Sequence, residues 1–550
     1  MAGYQREWLG RDVRAGLVLT ALLVPQGMAY AELAGLPPVT GLYTSILCLL
    51  GYALVGPSRV LVLGPDSALG PMIAATVLPL VGAQGDPERA VLLASALAIV
   101  TGLLMLGAGL ARWGYVADLL SQPTILGFMT GLALTIFVGQ LPKLLGFKVS
   151  ADSFLQEVAA TAGGILDGKV VPAAAAIGIF SFVLILVLAR FFPKLPSVLI
   201  AVVVAMAISE IADLASRGVK VIGPLPQGLP SFHVPVLQLS DLSPVVIGAF
   251  GIALVALADT ISTATSFAAR TGDTVDGNRE MIGIGVANIS AGLFHGFPVS
   301  TSGSRTAVAQ STGARTQLTG VVGAIVIALM LVAFPSLLAP LPQPTLGAIV
   351  IAAALSLADI PATRRLASQS RSDFLVFLTA FLGVTLLGVL PGIVIAVAVS
   401  VISVFRRIWR PYSTTLGHVP GVAGMHDRSS YPVGVSEPVA GCPVFRFDAP
   451  LIFANAPTFR GEVLDLAAQT PIPRWIVIAA EPINTVDITA VDMLIDLVGE
   501  LEAAGINLHF AELKTRVRAD AERMGLAAVL DADHFHPLVD DAVNDFARLP

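Results

Sequence analysis

Long apolar runs broken by short polar stretches fill the first 410 residues. They lie at about 13–33, 41–56, 66–81, 91–110, 122–141, 171–189 and 196–212. A second set follows at about 244–267, 281–296, 305–313, 317–338, 345–358, 373–390 and 391–405. A helix that crosses a bilayer takes ~20 apolar residues. The pattern predicts two sets of seven spans, the shorter runs being half-helices or tilted re-entrant pieces. An odd number of spans per set inverts one half relative to the other. Roughly 50–60 residues into each set lies a short interrupted run, Ser58 to Ala68 and Ser300 to Thr306. Paired interruptions of this kind point to a binding site between inverted repeats. Each has an extended, β-like lead-in and then a helix start, where Asp66-Ser67 and Ser304 have N-cap chemistry.

The periodicity changes near Pro411. Val444–Asp448, Leu451–Phe453, Trp475–Ala480 and Leu508–Ala511 read as short strands. Amphipathic helices are predicted over 456–468, 489–504 and 515–525. Strands alternating with helices imply a small α/β domain. The expected division is a transmembrane domain over 1–410, with repeats at about 12–232 and 244–410, and a second domain over 411–550.

Composition supports the membrane assignment. The chain is 55% hydrophobic and 13% charged, with a mean hydropathy of +0.82; soluble domains carry about 25% charged residues. Residues 1–410 hold 23 Lys and Arg against 19 Asp and Glu, and residues 411–550 hold 9 against 19. An acidic tail is a poor partner for nucleic acid. Cys48 and Cys442 have neither pairing nor metal-ligand spacing, so no disulfide or zinc site is expected.

Lys and Arg placement sets the expected orientation. With the N-terminus inside, Arg59, Arg112, Arg190, Lys194, Arg270, Arg279, Arg315, Arg364, Arg365 and Arg371 fall in inner loops. Arg406, Arg407 and Arg410 close the last span on the same side. The outer loops hold Arg89, Lys143, Lys148, Lys169, Arg217 and Lys220. The N-terminus and the tail are thus expected in the cytoplasm, on an integral plasma (inner) membrane protein.

Chemistry concentrates at the interruptions. Arg305 is a cation at membrane depth, where charge is costly and marks an ion or substrate path. Beside a helix N-terminus, with its free N–H groups and positive dipole, it forms an anion site needing no metal. The alternative is a buried ion pair that braces the fold. Asp259 and Thr263 share a helix face at i, i+4. The acid there either ligates Na⁺ or carries a proton, or pairs with Arg305. Asp66, at the first interruption, caps the helix or serves as a proton-coupling group. Gln26 and Tyr30 are one turn apart beside Pro25 and Gly27, and either line a cavity or pack. Glu32 is expected to be solvated at the outer end of the first span. His295 is expected to be packed, and Asp359 to lie at an inner helix end. No arrangement in the chain carries catalytic chemistry, so an enzyme is not expected. No cofactor is expected beyond a coupling Na⁺ or H⁺.

Several stretches resemble the SulP (sulfate permease) family of anion transporters. They are Pro25–Ala31, Leu33–Pro38, Gly41–Tyr43, Gly139–Gly146, Phe297–Val299 with Ser304–Val308, and Gly313–Gly320. The tail resembles a STAS domain. The resemblance implies core and gate domains and a substrate pocket between the third and tenth spans. It places Gln26 and Tyr30 with the first-span pocket residues, and Ser304 and Arg305 on the tenth-span anion residues. Ser67 and Ala68, at the first broken helix, complete the substrate set. Asp259 falls on an eighth-span acid that helps bind Na⁺ in bicarbonate-transporting members, and Thr263 on its companion. Many members have an uncharged residue where this chain has Asp66, which leans the reading toward proton coupling. The STAS likeness implies regulation, a cytoplasmic partner and a homodimer. Thr489 falls near a site phosphorylated in anti-sigma-antagonist relatives, with a helix N-cap as its plain alternative.

The expectation is a secondary active transporter of small inorganic anions, sulfate or bicarbonate, coupled to H⁺ or Na⁺. An anion exchanger, an anion channel, a nucleobase permease of the same fold, and a membrane sensor or scaffold acting through its tail are the competing readings.

Overall fold

A computed structural model of the chain describes residues 4–82, 85–114, 121–149, 151, 153–192, 195–271 and 274–549. Lys194 and the side chains of Arg270 and Arg407 lie outside the described residues. The chain forms two compact units, residues 1–400 and 401–550.

The first unit holds two series of helices. The first is α1 (Leu9–Leu33), α2 (Pro38–Val55), α3 (Gly70–Val81), α4 (Pro87–Leu110), α5 (Gln122–Leu145), α6 (Phe154–Leu166), α7 (Pro172–Phe191) and α8 (Ser197–Ile211). The second is α9 (Leu239–Thr271), α10 (Gly277–Gly292), α11 (Gly303–Ser311), α12 (Leu318–Ala333), α13 (Gln343–Leu357), α14 (Ile360–Gln369), α15 (Arg371–Leu387) and α16 (Val389–Trp409). A two-residue strand precedes each half-helix: β1 (Leu63–Gly64) before α3 and β2 (Ser300–Thr301) before α11. Among the described residues, eight helices are long and apolar enough to cross a bilayer.

Local sequence explains the helix starts. Proline opens α2, α4, α5, α7 and α13, where its missing N–H costs nothing. Asp86 caps α4 and Asp276 caps α10 through side-chain oxygens. A helix lies at every predicted span. The structure adds α6 and α14, which the apolar runs did not reveal because both are short and amphipathic. They occupy the same place in each series, between the fifth and sixth spans, so they obey the inverted repeat. Asp359 caps α14, accepting from the Ala362 N–H at 2.9 Å.

The spans sort into two bundles. In the core, α10 packs against α2 and α4, α12 against α1 and α2, and α4 against α9. In the gate, α5 packs against α13 and α15, and α7 against α8 and α13. Close backbone approach holds the core: a Cβ at Gly41 would stand 1.9 Å from the Gly27 carbonyl oxygen, so α1 and α2 can cross here only over glycine. Glu32 departs from expectation. It is not solvated but forms an ion pair with Lys143, because α1 and α5 end side by side. His295 stacks on His233, with ring centroids 5.2 Å apart, and shares a hydrogen bond with Ser231.

The second unit is an α/β domain built on a six-stranded sheet. Its strands are β3 (Ser413–His418), β4 (Met425–Asp427), β5 (Val444–Phe447), β6 (Trp475–Ala479), β7 (Asn507–Ala511) and β8 (Phe535–His536), in the order β4-β3-β5-β6-β7-β8. β5 to β8 are parallel, and β3 is antiparallel to both neighbours. Helices α17 (Ala456–Ala467), α18 (Ile488–Ala503), α19 (Thr515–Arg523) and α20 (Val539–Ala547) accompany them. Phe447, Phe459, Ile478 and Leu497 are among the fully buried core side chains. Two expectations need correction. Leu451–Phe453 is not a strand of the sheet: Leu451 makes only an isolated parallel bridge to Val486, and Asn455 accepts from the Ile452 N–H and donates to the Pro450 carbonyl, folding the segment locally. Thr489 is not the N-cap of α18. Asp487 holds that place, accepting from the Ala490 N–H at 2.9 Å, and Thr489 is exposed in the first turn.

Candidate functional site

The two interruptions meet at the centre of the first unit. β1 and β2 pair antiparallel, with Leu63 opposite Thr301 and Gly64 opposite Ser300. The Ser302 N–H donates to the Val62 carbonyl, and the Val62 N–H donates to Thr306 Oγ1, both at 3.1 Å. The pairing turns the N-terminal ends of α3 and α11 toward one place. The caps fall slightly away from the expected residues. Ser302, not Ser304, caps α11, accepting from the Arg305 N–H at 3.5 Å. β2 ends at Thr301, so the chain bends into the helix two residues early and leaves Ser304 on the cavity wall, its hydroxyl sharing a hydrogen bond with Ser302 at 3.1 Å. Asp66 caps the turn ahead of α3, accepting from the Ala68 N–H at 2.8 Å, while the helix itself begins after Leu69.

Arg305 is 1% exposed. None of its three side-chain nitrogens has a hydrogen-bond partner among the described residues. Its Nη1 lies against Gly64, where an added Cβ would come within 2.7 Å. An isolated buried cation costs several kcal/mol, and a guanidinium offers five N–H donors in a planar fork. The group is shaped for an anionic partner. The bracing ion pair weighed for Asp259 is absent among the described residues. Asp259 instead accepts from Ser300 Oγ at 3.4 Å. Asp66, Asp259 and Arg305 remain close enough to feel one another's charge.

These groups line a cavity of about 740 Å³. The core side of its wall carries Gln26, Tyr30, Asp66, Ser67, Ala68, Asp259, Ser304 and Arg305. The gate side is mostly apolar, with Met129, Ile185, Val198 and Ile349, and carries the hydroxyls of Ser197 and Ser356. The structure thus brings together every substrate and coupling residue named from sequence except Thr263. That side chain is buried just behind Gly303, with its Oγ1 4.0 Å from where a Cβ would sit. Thr489 lies in the other unit. Sequence reasoning missed Thr301, Ser302 and the whole gate wall. The hydroxyl-rich run was visible, but an apolar residue facing a cavity has the same signature as one facing lipid.

Exposure differs between the two ends of the cavity wall. Along α1 its lining runs from Val18 to Tyr30, and along α13 from Ile349 to Leu357. Ser311 and Ser356, toward the Asp12 end of α1, are exposed. Tyr30 and Ser67, at the other end, are 5% and 6% exposed. The Glu32–Lys143 ion pair lies just beyond Tyr30 and ties α1 to α5.

Comparison with known proteins places this arrangement. The model of the sulfate permease family matches residues 9–380. The chain belongs to that family. A STAS domain model matches residues 436–542. A probable sulfate transporter of Mycobacterium tuberculosis is 41% identical, over 99% of this chain and 96% of its own. The inward-facing structure of the murine Solute Carrier 26 family member A9 anion transporter superposes with a TM-score of 0.89 at 24% identity. It covers 99% of this chain and 92% of the murine one. The transmembrane domain of the cyanobacterial bicarbonate transporter BicA superposes with a TM-score of 0.62 at 23% identity, over 73% of this chain and 98% of its own. These likenesses show the fold: a seven-plus-seven inverted repeat with core, gate and two half-helices, followed by a STAS domain. This sulfate permease family member is a membrane transporter, not an enzyme.

Proposed function

We propose that this sulfate permease family member is a secondary active transporter of small inorganic anions, with sulfate as its first substrate. The observation that carries the reading is Arg305, a buried guanidinium with no partner of its own, at a helix N-terminus on the wall of a cavity between core and gate. The anion sits between the starts of α3 and α11, against Arg305, Ser304 and the Ser67–Ala68 backbone, with Gln26 and Tyr30 above. Helix dipoles and N–H groups share its charge. Rocking of core against gate moves this site from one side of the membrane to the other, and exposed Ser311 and Ser356 support access from the Asp12 end. Under the orientation read from Lys and Arg placement, that end is the cytoplasm of the plasma (inner) membrane, and the STAS domain lies there.

Asp259 and Asp66 supply the coupling. A carboxylate at an anion site repels its cargo unless it binds H⁺ or Na⁺, so anion and cation enter together. Thr263, one turn from Asp259, is the companion oxygen for Na⁺. The STAS domain serves regulation, through a cytoplasmic partner or Thr489, and dimerisation. The relative named as a probable sulfate transporter supports the choice of anion.

Radiolabelled sulfate uptake into proteoliposomes with imposed pH and Na⁺ gradients tests the reading. Arg305→Ala is expected to abolish uptake while the protein keeps its size-exclusion profile. Wild-type uptake and affinity in that variant would overturn the central claim. Uptake without accumulation against a gradient would identify an exchanger or channel.

A further inference from the structure

We infer that a second cavity, at the Glu32 end, is a waiting site for an anion, and that an anion seated there releases the ion pair joining core to gate. The inference rests on the anion-transport reading and adds to it a site at the buried end of the main cavity.

This cavity measures about 370 Å³, and its wall includes Glu32, Gln140, Lys143, Lys148, Glu157 and Lys220. Three ammonium groups therefore face two carboxylates. Glu32 is already engaged with Lys143. Neither Lys148 nor Lys220 has an acid partner among the described residues. Gln140 is 8% exposed, and its side-chain oxygen is buried without a hydrogen-bond partner. An amide turned by half a rotation offers N–H donors at the same point. A buried, unsatisfied amide beside two unpaired cations fits a small oxyanion.

Lys143 gives the cavity its consequence. Its ion pair links α1 of the core to α5 of the gate. Three other ion pairs of this unit lie within one bundle or one local segment. Arg89–Asp241 joins α4 to α9 within the core, and Lys169–Asp167 and Arg279–Asp276 are local. Glu32 is two residues beyond Tyr30, which lines the buried end of the main cavity. An anion beside Lys143 competes with the Glu32 carboxylate for one ammonium, and the two negative charges repel. The Glu32 side chain is 8% exposed, so solvent screens this competition weakly. Arrival of the anion thus loosens the contact that keeps this end shut.

Sealed vesicles of either orientation, carrying the full chain, test the inference with radiolabelled sulfate. In the double variant Lys148→Gln/Lys220→Gln, the KM for sulfate offered at the Glu32 end is expected to rise about threefold, the scale of two exposed charges. The KM from the Asp12 end should stay at the wild-type value. An equal shift from both ends, or none from the Glu32 end, would overturn the site. The release step is read with Leu33→Cys, placed on the wall of the same cavity; the native Cys48 and Cys442 are both buried. Labelling by a membrane-impermeant thiol reagent should quicken with added sulfate. It should not quicken when the two lysines are also replaced, and Glu32→Gln should quicken it without sulfate. Labelling indifferent to sulfate would refute release. A wild-type protein that moves no sulfate would remove the transport reading, while the labelling arm would still report whether sulfate acts at this cavity.

Discussion

Arg305 and Gly64 pack as one unit, because the guanidinium lies where any larger residue at 64 would put its Cβ. Gly64→Ala is expected to displace the guanidinium and raise the KM for sulfate about tenfold, equivalent to ~1.4 kcal/mol, in a protein that still folds. Unchanged affinity would show that Arg305 tolerates the shift. Asp259 makes a separate prediction. Asp259→Asn is expected to abolish accumulation driven by H⁺ or Na⁺ gradients while leaving downhill anion movement. Unaltered gradient dependence in uptake assays would remove its coupling role. At this scale the sequence was informative for a simple reason. A charge at membrane depth stands out wherever it points, and Arg305, Asp259 and Asp66 were visible on that ground alone. Gly64 was not, since a glycine among glycines carries no mark until its neighbour is placed. Glu32 was misread because solvation depends on where the end of α5 lies.

Element ends show where local rules succeed and where they slip. Asp12, buried near the start of α1, accepts from the N–H groups of Arg315 and Thr316 and from the hydroxyls of Thr316 and Thr319. It thereby caps the entry to α12 across about 300 residues of sequence. Asp12→Ala removes the acceptor of two part-buried N–H donors and is expected to cost ~1–3 kcal/mol, seen as a lower melting temperature in detergent. A melting temperature equal to wild type would show that the contact carries no stability. No N-cap rule could find this residue, because the turn it holds is remote in sequence. The spans themselves were legible, since each needs a long apolar run. The amphipathic α6 and α14 were not, and the caps of α3 and α11 lie off the expected residues because the short β1–β2 ladder decides where the helix begins.

At the scale of the whole molecule, two units with different solvents share one chain. In the second, His509 is buried against Trp475, with ring centroids 3.6 Å apart, and near His534 and His536. Burial, and then the neighbouring imidazoles, push its pKa down from 6.5 to about 3. Between those values the unfolded chain binds a proton that the folded domain refuses, so stability is lost as pH falls. Urea unfolding of residues 411–550 should show a slope approaching ~1.4 kcal/mol per pH unit below 6.5, flattened in His509→Phe. A pH-independent midpoint would contradict the burial. The amino-acid sequence determined which segments enter the membrane, the two sets of seven, the α/β tail and the presence of costly charge at the interruptions, because hydropathy and period act locally. Only the tertiary structure decided that Arg305 is left without a partner, that Asp259 turns to Ser300, and that Glu32 reaches across to Lys143. Those outcomes depend on distances between helices remote in sequence, and burial decides whether a charge is paired, solvated or held open.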